Sequence, residues 1–339
     1  MTHTTIESDD TKDLLSAAQV MKKIRTAQER LAGHARVTPV LTSTTLEQRV
    51  GHAVFLKCEN FQRVGAFKFR GAFNAMSALP REQRERGVLT YSSGNHAQAI
   101  ALSGRLLDTP VTIVMPHNAP EAKLAATRGY GARVVLYDPD SEERETVAAS
   151  LPDAARMTLI PPFDHYEVIA GQGTAAVELL DQIDAPAQRT IRRLLVPVGG
   201  GGLLAGCATA VKALAPDVEV IGVEPERADD AARSFRSGRL ERIEHADTIA
   251  DGTRTPSLGV RNFALIRELV DDIITVSEDD IRAAVYFLFQ RMKIVVEPSG
   301  ALGVAAMLAG ATGSPSASGV IISGGNVDNT LFANIISSS

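Results

Sequence analysis

Phe67-Lys68-Phe69-Arg70-Gly71-Ala72 places one amine among aromatic and small residues. A lysine amine can condense with a carbonyl group or take a proton from a reacting carbon. Alone, such a lysine is ordinarily a solvated surface group, so its weight rests on its surroundings. Three turns supply those surroundings. Val198-Gly199-Gly200-Gly201-Gly202-Leu203 runs from an apolar strand pattern into an apolar helix pattern. Each glycine carries a backbone-entropy cost, so four in succession call for a reason. One reason is close backbone approach to a phosphate, where unpaired N–H groups meet the positive end of a helix dipole. The other is a flexible turn or a tight helix–sheet contact. The loop does not match G-x-G-x-x-G and no Gly-Lys-[Ser/Thr] follows, which weakens dinucleotide and P-loop readings. Ser92-Ser93-Gly94-Asn95-His96 offers hydroxyls, an amide and backbone N–H groups to a carboxylate, or is an ordinary helix cap. Ser323-Gly324-Gly325-Asn326 is either a third anion-binding turn or a glycine-rich strand end. At the C-terminal ends of parallel strands, all three could face one crevice.

The elements that must position these turns are short and β-branched. Strand patterns cover Val54–Lys57, Gly87–Tyr91, Val111–Met115, Ala132–Leu136, Leu194–Val198, Val218–Val223, Ile273–Val276 and Gly319–Ile322. Such runs suit buried parallel strands. Helical patterns lie between them at Ala97–Leu107, Pro120–Arg128, Leu203–Leu214 and Asp279–Lys293. The alternation implies an α/β protein with open, mostly parallel twisted sheets flanked by helices. The close spacing of the strands from Leu89 to Leu136 suggests two sheets. A small domain, 63–162, would be inserted in a large one formed by 1–62 and 163–339.

The chain has 339 residues and a formal net charge of −5, with no Lys/Arg run, which argues against a nucleic-acid partner. Cys58 and Cys207 lack metal-type spacing and suggest a reducing compartment. Met1 to Asp10 is polar and lacks the apolar core of a signal peptide. No apolar run reaches about 20 residues, so no membrane span is expected. A cytoplasmic location is the expectation.

Taken together, the motifs resemble the fold-type II pyridoxal-phosphate (PLP) enzymes of the tryptophan synthase β-subunit kind. Within that class they are most similar to the serine/threonine dehydratase and serine racemase family. The resemblance is carried, in order, by the Lys68 motif, Ser92–His96, Ile169-Ala170-Gly171-Gln172-Gly173-Thr174, Gly199–Leu203, Gly222-Val223-Glu224-Pro225, Ala250-Asp251-Gly252, Glu297-Pro298 and Ser323–Asn326. It implies that Lys68 holds the cofactor as a Schiff base and later serves as the base at Cα. It places Phe67 against the pyridine ring, Asn95 at the ring hydroxyl, and Gly199, Gly200, Gly201, Gly202 and Leu203 around the phosphate. Ser323 would face the pyridine nitrogen, with Gly252 and Glu297 completing the cofactor site. A neutral partner at that nitrogen fits elimination better than transamination. Ser92, Ser93, Asn95 and His96 would hold the substrate carboxylate. Ser93 would also handle the Cα proton on the face opposite Lys68.

Glu224, Ala228 and Asp230 match the divalent-cation site of the serine racemase branch. Two carboxylates and a backbone carbonyl suit Mg²⁺, or Ca²⁺ or Mn²⁺; the other reading is a solvated acidic turn. Ala66 stands where many relatives carry Ser. Pro161 to Tyr166 is expected to reach the active site, with His165 and Tyr166 tuning side-chain preference. The chain ends soon after the Ser323 motif, so no regulatory domain is expected to follow.

The reaction implied is dehydration and deamination of a 3-hydroxy-L-amino acid, such as serine, threonine, 3-hydroxyaspartate or phenylserine, to a 2-oxo acid and ammonia. An amino-acid racemase with side dehydratase activity is the alternative. A β-replacement synthase of the same fold is more distant. A nicotinamide-dependent dehydrogenase and a non-catalytic amino-acid-binding protein are more distant still. The resemblance implies a homodimer with each active site inside one chain.

Overall fold

A computed structural model describes residues 14–183, 191–313 and 317–338. Met1 to Asp10 lies outside the described residues. In chain order the strands are β1 (Val40–Leu41), β2 (Val54–Cys58), β3 (Val88–Tyr91), β4 (Val111–Pro116), β5 (Arg133–Tyr137), β6 (Thr158–Leu159), β7 (Arg193–Pro197), β8 (Glu219–Pro225), β9 (Asp272–Val276) and β10 (Ser318–Ile322). They form a six-stranded sheet, β1-β2-β10-β7-β8-β9, and a four-stranded sheet, β5-β4-β3-β6. Every pairing is parallel except β1 on β2. All eight expected strands are present, with ends shifted by a residue or two. The sequence patterns missed β1 and β6. Both are two-residue edge strands, too short to show a period.

Burial explains the composition of the strands. Every residue of β7 and β10 is buried, which suits strands covered by helices on both faces. The edge strand β5 is only half-buried. All strands of the small sheet fall between Val88 and Leu159, inside the segment read as the inserted small domain.

One helix organises the molecule. Tyr166–Gln182 is buried along most of its length. The helix that begins with Lys68 (Lys68–Ser77) packs on it, and so does the helix that follows the glycine loop (Gly202–Leu214). Helices Glu278–Met292 and Pro298–Leu308 belong to a second core, with apolar residues of β2, β7 and β10. Among the described residues no helix is long and apolar enough to cross a membrane.

Candidate active site

The three turns converge. A cavity of about 540 Å³ is lined by Phe67, Lys68, Ser92–His96, Gly199–Leu203, Gly252, Glu297 and Ser323. These are all the residues expected to hold the cofactor and the substrate carboxylate. Each turn begins where a strand ends: Ser92 after β3, the glycines after β7, Ser323 after β10.

Lys68 is stitched to the third turn by main chain. The Phe67 N–H donates to the Ser323 carbonyl (2.9 Å), and the Gly325 N–H donates to the Gly65 carbonyl (2.9 Å). Asn326 Nδ2 donates to the Val64 carbonyl (2.6 Å). Ala66 is fully buried in this contact, bridged to Gly324. Lys68 Nζ donates to the Pro162 carbonyl (2.8 Å) and lies 5.2 Å from the Phe67 ring centre. Burial lowers the Lys68 pKa to about 8, opposed by the charge of Glu297. The amine therefore gives up its proton far more readily than a surface lysine.

The glycine loop presents bare main chain. The N–H groups of Gly199 to Leu203 have no hydrogen-bond partner among the described residues. Their peptides are held from behind, since Asn262 Nδ2 (2.6 Å) and the Gly259 N–H (3.1 Å) both donate to the Gly200 carbonyl. Gly201 has φ +89°, a region where L side chains are strained. A Cβ on Gly200 would lie 2.3 Å from the Phe163 ring, so the loop admits no side chain there. Five free N–H groups at a helix N-terminus form a concave site for an anion without any charged side chain.

In the first turn, the Gly94 N–H donates to Ser92 Oγ (3.3 Å). Asn95 opens the helix Asn95–Leu106. Its amide is engaged at both ends: Nδ2 donates to Glu297 Oε1 (2.8 Å), and Oδ1 accepts from Asn326 Nδ2 (2.8 Å). Burial and the Asp251 charge raise the Glu297 pKa to about 7. His96 is buried, and Nε2 lies 3.3 Å from the Ile160 carbonyl. Burial, then the charge of Lys68, lowers its pKa to about 3. His96 is thus neutral, with Nε2–H spent on a carbonyl and Nδ1 unpartnered. Its ring can accept a hydrogen bond; a donor to the substrate carboxylate would have to be its backbone N–H. Ser323 Oγ is buried and reaches the Ser299 carbonyl only at 3.5 Å.

Several contributors escaped the sequence. Asn262 orients the glycine loop, and Ser299 Oγ accepts the Gly252 N–H (2.8 Å), while the expected segment Pro161–Tyr166 reaches the cavity through Pro162 and Phe163, whose ring seats the loop. Neither Asn262 nor Ser299 carries a signal on its own. Arg144 also lines the cavity, 5.2 Å over the Tyr91 ring, with Nε donating to Glu145 (2.9 Å). Its terminal nitrogens have no partner among the described residues. His165 and Tyr166 do not line the cavity. Tyr166 is tied instead to Leu15, whose N–H donates to its hydroxyl (2.7 Å).

Glu224 and Asp230 are buried and interact electrostatically where β8 leads into the helix Asp230–Ser237. Glu224, near the end of β8, accepts the N–H groups of Ala231 (3.1 Å) and Ala232 (2.9 Å). Asp230 is fully buried, and neither side-chain oxygen has a partner. Burial raises the pKa of both carboxyls, and the Asp230 charge raises that of Glu224 further. Ala228 is buried beside them. Among the described residues no group of three or more His, Cys, Asp or Glu side chains is arranged to hold a metal.

The family model described as "Pyridoxal-phosphate dependent enzyme" matches residues 31–324. An L-threo-3-hydroxyaspartate ammonia-lyase from Saccharomyces cerevisiae is 50% identical over 312 residues, spanning 92% of this chain and 94% of its own. A serine racemase from Schizosaccharomyces pombe is 50% identical over 315 residues, spanning 93% and 96%. The crystal structure of a serine racemase from Dictyostelium discoideum superposes with a TM-score of 0.84 at 41% identity, covering 91% of this chain and 98% of that one.

Proposed function

Because the chain belongs to the pyridoxal-phosphate-dependent enzymes, we propose that it removes water and ammonia from a 3-hydroxy-L-amino acid, with 3-hydroxyaspartate the preferred substrate. The observation that carries this is the single cavity. It joins a lysine with a lowered pKa to five unpartnered backbone N–H groups. The residues fit the cofactor: Gly199–Leu203 would hold its phosphate, Lys68 its aldehyde carbon, Phe67 and Asn95 its ring, and Ser323 the ring nitrogen. Gly252 and Glu297 would support these contacts. Bound there, the cofactor supplies an electron sink for charge that develops at Cα.

The chain's own residues do the rest. The N–H groups of Asn95 and His96, at a helix N-terminus, and the Ser92 and Ser93 hydroxyls hold the substrate carboxylate. Lys68, neutral far below the usual lysine range, takes the Cα proton and returns a proton to the departing hydroxyl. The unsaturated amine then hydrolyses to a 2-oxo acid and ammonia. Arg144 supports a substrate with a second carboxylate. Both of its terminal nitrogens are unpartnered among the described residues, whereas Lys123, also in the cavity lining, is paired with Asp251 (2.6 Å) and Arg254 is bound through Nε and Nη2 to the Thr248 carbonyl. Ser93, acting on the face opposite Lys68, supports racemisation as a second activity.

Asp230's two orphaned oxygens fit a hard cation, which would remove the repulsion between two buried carboxylates. We read Glu224, Asp230 and the Ala228 carbonyl as its ligands and Mg²⁺ as the ion. A homodimer with independent sites agrees with a cavity complete in one chain, and a cytoplasmic location with two buried, unpaired cysteines.

The test is a panel of 3-hydroxy amino acids in both enantiomers, scored for 2-oxo acid and for inverted product. The expected result is a visible absorption band that borohydride abolishes, with 3-hydroxyaspartate turned over fastest. In Arg144→Gln, its kcat/KM should fall at least about tenfold while that of serine holds within about twofold. A protein that gains no band with pyridoxal phosphate refutes the cofactor. Equal loss on serine and 3-hydroxyaspartate refutes the role of Arg144.

A further inference from the structure

The Ala170-Gly171-Gln172-Gly173 run lies in the helix Tyr166–Gln182, outside the cavity, and takes no part in the chemistry above. Its two glycines are two residues apart, so they point roughly 200° from each other around the helix. Each faces a different neighbour at backbone contact. A Cβ on Gly171 would lie 2.5 Å from the Arg70 carbonyl oxygen and 2.6 Å from Gly71 Cα. A Cβ on Gly173 would lie 2.7 Å from the Gly206 carbonyl oxygen. The reciprocal contacts are as tight. A Cβ on Gly71 would meet the Val168 carbonyl oxygen at 2.8 Å and the Gln172 side chain at 2.4 Å, and one on Gly206 would meet the Ile169 carbonyl oxygen at 2.3 Å.

Gly71 stands one helical turn beyond Lys68, and Gly206 one turn beyond Gly202. One glycine therefore seats the helix that carries the amine, and the other seats the helix that begins at the anion-binding loop. Register along the central helix is fixed separately. Arg70 Nη1 donates to Thr174 Oγ1 (3.2 Å) and to Glu178 Oε1 (2.7 Å), two residues one turn apart.

We infer that Gly171 and Gly173 are positioning residues. By letting two helices touch opposite sides of a third, they set the separation between Lys68 and the Gly199–Leu203 loop to the length of a ligand held at both ends. This rests on the cofactor reading above. Carbon atoms rest at about 3.5–4.0 Å, so an added methyl moves the Lys68 helix outward by about 1 Å. Each end of the site stays intact; only their spacing changes.

The test uses cofactor-stripped wild type, Gly171→Ala and Gly173→Ala. Each is titrated with pyridoxal phosphate, with pyridoxal and with inorganic phosphate. Borohydride trapping reads the amine end, and equilibrium dialysis of phosphate reads the loop. Affinity for pyridoxal phosphate should fall at least tenfold in both variants, while the two one-ended probes stay within twofold of wild type. A folded variant that binds pyridoxal phosphate as wild type does overturns the spacer. So does a parallel loss of all three probes, which signals general damage. Should the alanine variants not fold, Gly71→Ala loads the same helix contact with a milder backbone approach, 2.8 Å from its Cβ to the Val168 carbonyl oxygen. It should show the same selective loss to a smaller degree, and no selectivity overturns the inference. Wild type that binds no pyridoxal phosphate overturns the cofactor reading, and the spacer with it. Wild type that binds beside a variant that binds equally overturns the spacer alone.

Discussion

Replacing Lys68 by Met should abolish borohydride trapping of the cofactor and yet stabilise the cofactor-free protein at neutral pH. The magnitude follows from the amine's environment. Its pKa falls from 10.5 to about 8, by burial first, with Glu297 opposing. At about 1.4 kcal/mol per tenfold change in proton affinity, that is an unfavourable contribution of about 3 kcal/mol. The cavity leaves the side chain partly accessible, so water there makes this an upper bound. The lost hydrogen bond to the Pro162 carbonyl opposes the gain by about 1 kcal/mol, leaving roughly 1–2 kcal/mol. The sign is set by linkage. Between pH 8 and 10.5 the unfolded chain holds more protons at this residue than the folded chain, so wild-type stability rises with pH across that window. Below pH 8 the penalty is complete; above 10.5 it is gone. Denaturant unfolding of cofactor-free wild type and Lys68→Met, at pH 7 and in steps to pH 10.5, isolates the residue, because other titrations cancel in the difference. The advantage of the methionine variant should shrink steadily over that range. A difference that stays flat with pH would refute the reasoning.

Three further outcomes follow. Arg70→Met leaves Glu59, fully buried, without its partner, and should lower stability by about 3–5 kcal/mol, read as the denaturation midpoint; a loss under about 1 kcal/mol contradicts the network's importance. Ser93→Ala should cut racemisation at least about 100-fold and elimination from the L-substrate far less, because Ser92 and the Asn95 and His96 N–H groups still hold the carboxylate, scored by chiral separation and by 2-oxo acid; equal loss means that Ser93 acts in binding alone. Glu224 and Asp230 hold their protons in the fold above the ordinary carboxyl range, so the metal-free protein should lose stability as pH rises through neutrality. Asp230→Asn should flatten that loss and remove any rise in Tm given by Mg²⁺; a variant that still gains Tm from Mg²⁺ excludes Asp230 as a ligand.

The strands, the two sheets and the three turns were legible because each depends on local pattern: β-branched runs, then glycine or serine where the chain must turn. Lys68, Ser93, Asn95 and the glycine loop were legible by resemblance, since their motifs hold residue types in fixed order. What escaped was long-range. Asn262 acts on Gly200 from 62 positions away in the chain, and no periodicity encodes that. His96 was read as part of the carboxylate pocket. It lines the cavity, but the Ile160 carbonyl takes its ring N–H, a partner supplied by the strand connection beyond β6. Arg144 carries no local signal, and only the fold brings it into the cavity lining.

The glycine loop has a consequence for how the two ends of the ligand respond to acid. Its grip is made of peptide N–H groups locked by Asn262 and Gly259, and peptides carry no proton that pH can add or remove in the working range. The opposite end rests on an amine that does. On the cofactor placement proposed above, acid should therefore loosen the covalent end while the loop still holds the phosphate, so that the first species formed on acidification is a ligand tethered at one end, not a ligand lost.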